Sequence, residues 1–201
     1  LEEVDRGINA ALKEIGCFVG VDRTYLFRIE HSTRTIHNTY EWVRGQTQAF
    51  ISDFESMSWD QLPNHMALLL SNQPVYASRL SDHMDDWPEE RSLLEGIKSI
   101  LVLPMVVGGV VVGLLGFDAV HEERSWDDED IQVLRSTGDV LAHVLDRRVT
   151  LQTLKDREVQ FRTLVENLPD PMIRVKRVDQ RVFVNPALAT LLGRSAEDLN
   201  G

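Results

Sequence analysis

At 201 residues, 43% hydrophobic and 26% charged, the chain has ordinary globular composition with enough Val, Leu and Ile to build a core. Its length suits one large domain, or one domain and part of a second. A formal net charge of −11 with scattered Lys and Arg disfavours wrapping nucleic acid or docking on anionic lipid. The single cysteine, Cys17, excludes an intrachain disulfide framework and fits a reducing, cytoplasmic compartment. The chain opens at Leu1 without a basic-then-apolar leader and is expected to be part of a longer protein.

In chain order, Val4, Ile8, Leu12 and Ile15 recur at three- and four-residue intervals, an amphipathic helix expected to end near Gly16. Residues 21–30 alternate as a strand with Tyr25, Phe27 and Ile29 on one face, and residues 35–43 form its antiparallel partner across a polar turn. Residues 61–72 carry Leu62, Met66, Leu69 and Leu70 on one side of a helix that Pro74 stops; 75–77 resemble a short strand. Pro88 suits the first turn of a further helix, expected to run to about Lys98.

The uncharged run Ile100 to Phe117 reaches the lower length limit of a membrane span. Pro104, the Gly108-Gly109 pair and the abundance of Val argue instead for a buried β-hairpin turning at the two glycines. No membrane segment is expected. A long helix then starts at Asp127, which can cap it, with Asp128, Glu129 and Asp130 in the positive first turn. Up to Asn167 only Gly138 interrupts the helix formers, so an unbroken helix would be about 60 Å long. One apolar series falls at Ile131, Leu134, Gly138, Leu141 and Leu145. A second runs Leu151, Leu154, Glu158, Phe161, Val165 and Leu168, out of phase with the first. The first half is expected to pack on its own domain. The second half is expected to face a partner helix in a homodimer, with Leu151, Leu154, Phe161 and Val165 in the seam. After Pro169, residues 172–177 and 181–184 read as two short strands, and Asn185-Pro186 opens a helix through Leu192.

The sequence LVLPMVVGGVVVGLLGFDAVHEERSWDDEDIQVLRSTGDVLAHVL, within this order of elements, resembles the closing segment of a GAF domain. The tail FRTLVENLPDPMIRVKRVDQRVFVNPALATLLGRSAEDLNG is similar to the opening of a PAS domain: the Leu168-Pro169-Asp170 entry, Asn185-Pro186, Leu192-Gly193 and the terminal Asp198-Leu199-Asn200-Gly201 all match. The resemblance implies an α+β fold with a GAF-like central antiparallel sheet, flanking helices, a long C-terminal connector helix and a truncated PAS start. The expected organisation is a sensory domain over residues 1–145, a signalling helix over 146–168 and an incomplete PAS fragment over 169–201.

Such domains sense small molecules or chromophores, or serve as dimerising modules, and feed histidine kinases or cyclic-di-GMP enzymes. By matching order, the ligand-covering region lies between Tyr40 and Trp87, and the expected ligand-binding residues are the aromatic side chains Tyr40, Trp42, Phe50, Trp59, Tyr76 and Trp87. For any single one of them, filling the core beneath a covering loop is the favoured reading. Covalent bilin attachment is not expected, because Cys17 precedes the first strand, and no cofactor is assigned. Phe117-Asp118 is too little of the signature of cyclic-nucleotide-binding relatives to carry that function over.

The six histidines show no helix-borne metal spacing, and nothing resembles a nucleophile elbow or an activated thiol, so no metal and no catalytic residue are expected. Reduction of free methionine sulfoxide, known in some relatives, needs several cysteines. The expected function is therefore a non-enzymatic sensory input relaying through a dimeric helix to a downstream output domain, a histidine kinase first. The alternative is a ligand-free dimerisation module regulating a diguanylate cyclase or phosphodiesterase.

Overall fold

The computed structural model describes residues 2–49, 56–175, 182–195 and 199. The chain divides into two compact units, Leu1–Asp146 and Arg147–Gly201.

The first unit is built on a six-stranded antiparallel sheet. Its strands are β1 (Arg23–Glu30), β2 (Thr35–Val43), β3 (Met57–Ser58), β4 (Val75–Ala77), β5 (Ser99–Val107) and β6 (Val110–Ala119), in the spatial order β3-β2-β1-β6-β5-β4. Helix α1 (Glu2–Val19) precedes the sheet, and α2 (Pro63–Leu70) lies between β3 and β4. Helix α3 (Asp128–Asn167) follows β6.

The two strands of the hairpin, β5 and β6, pair Ser99 with Ala119 through Val107 with Val110. Gly108 and Gly109 turn it with φ of 59° and 82°, a pair of left-handed residues that only glycine adopts at little expense. Side chains alternate across β5. Leu101, Leu103 and Met105 join Leu26, Leu115 and Phe117 on one face, against Ile8 and Leu12 of α1 and Leu134, Leu141 and Ala142 of α3. Ile100 and Val102 join Ile29, Ile36 and Leu114 on the other face, under Met66 and Leu69 of α2. A sheet covered on both faces needs apolar residues at successive positions, which explains the uncharged run. No helix among the described residues is long and apolar enough to cross a membrane.

Helix α1 runs past Gly16 to Val19 and closes at Gly20, with the Gly20 and Val21 amides donating to the Gly16 carbonyl at 3.0 and 3.1 Å. Gly16 is not the helix stop but its contact point: a side chain there would overlap the Trp42 ring. Thr24 Oγ1 adds a 2.9 Å hydrogen bond to the Leu12 carbonyl, fixing the helix to β1.

The expected helix over 88–98 does not form. The segment is a chain of i+3 turns, with the amides of Glu90, Leu93 and Ile97 donating to the carbonyls of Trp87, Glu90 and Leu94. Its Glu90 side chain is drawn inward, fully buried, to bind the start of α2. Gly96, with φ of 81°, bends the chain back toward β5.

Asp127 caps α3 as expected, its Oδ1 accepting from the Asp130 amide at 2.8 Å. Ile131, Leu134, Gly138, Leu141 and Leu145 lie on the sheet side, Gly138 leaving room for Leu115 and Met105.

In the second unit, β7 (Ile173–Val175) pairs antiparallel with β8 (Val182–Val184), and α4 (Pro186–Leu191) follows. The expected turn between these strands lies outside the described residues. Asn185 is the hub of the unit. Its Oδ1 accepts from the Met172 and Leu188 amides, and its Nδ2 donates to the carbonyls of Val165, Leu168 and Asp170.

Candidate functional site: a cavity beneath α2

The face of the sheet under α2 is incompletely filled and leaves a cavity of about 80 Å³. Its floor carries Tyr25 and Phe27 of β1, Ile36, Asn38 and Glu41 of β2, and Leu114 and Asp118 of β6, with Ile100 and Val102 beside them. Leu62, His65 and Leu69 form its roof, with Leu93, Leu94 and Ile97 from the turn segment at the side.

An irregularity in the β1–β2 pairing decides which residues of β2 reach this cavity. Ile29 pairs with Ile36 and Phe27 with Asn38, but Leu26 pairs with Tyr40 and Tyr25 with Glu41, so Thr39 is an extra residue. Its hydroxyl donates back to the Leu26 carbonyl at 3.0 Å. One inserted residue reverses the facing of everything beyond it. Strict alternation through Thr39 would send Tyr40 and Trp42 after Ile36 and Asn38 into the cavity. With the bulge, Glu41 takes that direction, and Tyr40 and Trp42 pack on the opposite face against α1. The Tyr40 hydroxyl there donates to Asp5 Oδ1 at 2.5 Å.

At one end of the floor lies a buried charged cluster. Arg23 Nη2 meets Asp118 Oδ2 at 3.1 Å, and the Tyr25 hydroxyl donates to Asp118 Oδ1 at 3.1 Å. Gly116 admits the Tyr25 ring across β6, since a side chain there would occupy the same space. Burial pushes the Asp118 carboxyl up to about 6, against the opposing pull of Arg23 and of the Tyr25 hydroxyl. Burial and the neighbouring Asp118 carboxylate hold the Tyr25 phenol well above its ordinary range, so it remains a donor. Next to the cluster, Asp22 accepts from the Val120 and His121 amides at 2.7 and 2.9 Å. Burial alone would raise its carboxyl; those amides and the His121 ring outweigh burial and leave it below the ordinary value.

In the roof, Glu90 Oε1 accepts from the Asn64 and His65 amides at 2.7 and 3.1 Å, meeting donors that the first turn of α2 leaves unsatisfied. Its Oε2 meets His65 Nδ1. A carboxylate only accepts, so Nδ1 carries the proton and Nε2 is the atom left over. That Nε2 and Asn38 Oδ1 are buried without a hydrogen-bond partner, on side chains 3% and 7% exposed, and both residues line the same cavity. Buried polar atoms are rarely left unpaired.

None of the five described aromatic residues expected at the ligand lines this cavity. Trp59 is buried at the sheet edge, edge-on to His31 and under the Arg34 guanidinium. Tyr76 is exposed between the buried Val75 and Ala77, and Trp87 packs behind His65 and stacks on His83. Phe50 lies outside the described residues. Asn38, Glu41, His65, Glu90 and Asp118 were missed. Asp118 had a signal, a carboxylate inside an apolar strand. So did His65, three residues from Leu62 and four from Leu69 on the apolar side of α2. Among the described residues, no group of three or more His, Cys, Asp or Glu could hold a metal ion, and Cys17 is exposed on α1.

On α3, Leu151, Leu154 and Phe161 are 57%, 58% and 50% exposed, and Arg174 lies over the Phe161 ring. Val165, expected in the same seam, is 3% exposed: it belongs to the interior of the second unit, where Asn185 binds its carbonyl. The exposed apolar stripe also begins earlier than expected. Val133, Val140 and Val144 are exposed and share one three-four series with Leu151, Leu154 and Phe161. In its first half α3 thus carries two stripes, one on the sheet and one in solvent.

Comparison with known proteins agrees with this architecture. Residues 1–146 match the family described as GAF domain. The chain is 28% identical over 139 residues to the methanogenesis regulatory histidine kinase FilI of Methanothrix harundinacea (strain 6Ac), a match covering 66% of this chain and 15% of that kinase. Among solved structures, the photoproduct state of GAF3 from Slr1393 of Synechocystis sp. PCC6803 superposes with a TM-score of 0.61 at 16% identity, covering 76% of this chain and 98% of that one. The GAF domain/HD domain protein of Geobacter sulfurreducens gives 0.59 at 18% identity, with 72% and 92% covered. The antiparallel sheet between helices, the long closing helix and the family match over residues 1–146 together make this chain a member of the GAF domain family.

Proposed function

We propose that the chain is the sensory input region of a signalling protein, in which a small ligand enters the cavity beneath α2 and biases a dimeric α3 that leads to an output domain. The observation that carries this reading is the pair of buried, unpartnered atoms, Asn38 Oδ1 and His65 Nε2, on two residues that line one cavity. A ligand that supplied their partners would be favoured by the desolvation already met in folding. The similarity to a regulatory histidine kinase supports a kinase as the output. The reading assigns no catalytic step to the chain and places it in the cytoplasm. It takes residues 169–201 as the opening of a PAS domain, supported by the β7–β8 pairing and the Asn185 cap. The homodimer is supported by the exposed series Val133, Val140, Val144, Leu151, Leu154 and Phe161, whose spacing is that of a coiled-coil seam.

Native mass spectrometry of the gently purified chain tests the ligand: a bound mass is expected, absent from the cavity-filling variant Val102→Phe. Identical masses for the two proteins would remove the sensing role. The ligand-free dimerisation module would then be the better reading, because the exposed stripe on α3 does not depend on the cavity. Light scattering tests the seam. Leu154→Asp and Val140→Asp should each shift the dimer toward monomer, and a wild-type chain that is monomeric at high concentration would remove it.

A further inference from the structure

The wall of the cavity discriminates among the small molecules that could enter it. A cavity of about 80 Å³ is roughly half the size of an engineered apolar cavity that takes benzene, so it suits about four or five heavy atoms. Most of its wall is aliphatic: Ile36, Ile100, Val102 and Leu114. Both carboxylates on it are already engaged. Asp118 holds Arg23 and accepts from the Tyr25 hydroxyl, and Glu41 has a partner of its own. A cation would give up its water for no free carboxylate, and an anion would meet a lining without Lys or Arg. The ligand that fits is uncharged. What the lining residues still lack is a partner for Asn38 Oδ1, an acceptor, and for His65 Nε2, an acceptor in the neutral imidazole and a donor in the imidazolium. A hydrocarbon or a ketone brings no donor and leaves Asn38 unsatisfied. A primary carboxamide carries both N–H donors and a carbonyl acceptor. It can donate to Asn38 Oδ1 and still serve His65 Nε2 in either protonation state, with its alkyl group against the aliphatic wall.

Resting on the ligand-sensing reading, we propose that the cavity binds a short-chain, uncharged primary carboxamide that donates to Asn38 Oδ1. The test is an NMR titration of the whole chain at neutral pH with probes of matched size: propionamide, butanone, propionate and propionamidine, the last present as its cation. The methyl signals of Ile36, Ile100, Val102 and Leu114 report binding in the cavity. Propionamide should shift them, and butanone, which has no donor for Asn38, should bind about tenfold more weakly. Propionate and propionamidinium should shift nothing at concentrations where propionamide saturates. Asn38→Leu should weaken propionamide by about tenfold and abolish its advantage over butanone. Should that variant fail to fold, the comparison of propionamide with butanone on the wild-type chain decides alone. Binding of either ion as tight as that of propionamide, or equal binding of butanone, overturns the carboxamide and leaves the sensing cavity intact. So does a bound mass in native spectra combined with no shift from any probe. No shift and no bound mass overturn both.

Discussion

The two faces of one sheet are built to different ends. On the side of α1 and α3, Leu26, Leu101, Leu103, Leu115 and Phe117 meet helices brought close by Gly16 and Gly138. On the other side the same strands carry Asp118, Tyr25, Glu41 and Asn38 under a short helix and a chain of turns. Alternation along each strand lets stability and recognition be encoded at neighbouring positions with little interference. The closed face commits the fold, and the open face tolerates desolvated charge because the closed one holds it in place.

Four changes test that division. The largest effect is expected for Asp118→Ala, which leaves the buried Arg23 without its carboxylate: a loss of about 3–5 kcal/mol in denaturant unfolding. A loss typical of a surface site would mean that the cluster is not buried as described. Next is pH. The Asp118 carboxyl is raised in the folded state to about 6 from an ordinary 3.8, so folding favours its protonated form. Its contribution is full below about pH 4 and is lost as pH rises through about 6, about 3 kcal/mol from the size of the shift. Asp118→Asn should flatten that slope in a stability–pH series. On the closed face, Gly16→Val forces a side chain into the Trp42 ring and should destabilise by about 1–3 kcal/mol; an unchanged melting temperature would show α1 to be loosely docked. The smallest effect has the opposite sign. Asn38→Leu removes an unpaired buried acceptor and should stabilise the ligand-free chain by about 1 kcal/mol.

The fold was largely legible in the sequence because it rests on periodicity. The β1–β2 pair, the glycine-turned hairpin and the capped start of α3 all follow from alternation, turn chemistry and local charge. Two local readings failed where tertiary contacts overrode them. Gly16 looked like a helix stop and is a docking surface for Trp42, and the stretch after Pro88 looked helical until Glu90 was drawn inward to cap α2. The site was less legible. Residue type pointed to the aromatic residues between Tyr40 and Trp87, and the cavity is instead lined by Tyr25, Phe27 and aliphatic residues with carboxylates, an amide and an imidazole. Neither the bulge at Thr39 nor the reach of Glu90 leaves a local mark in the sequence.

That bulge has a consequence for how such a cavity can change its chemistry. Were Thr39 to rejoin the ladder, strict alternation would exchange the two sets of side chains, turning Tyr40 and Trp42 toward the cavity and Glu41 toward α1. A wall carrying a carboxylate would become one carrying aromatic rings, without replacement of any residue. In this architecture, the register of one strand can reset the chemistry of a cavity more abruptly than substitution.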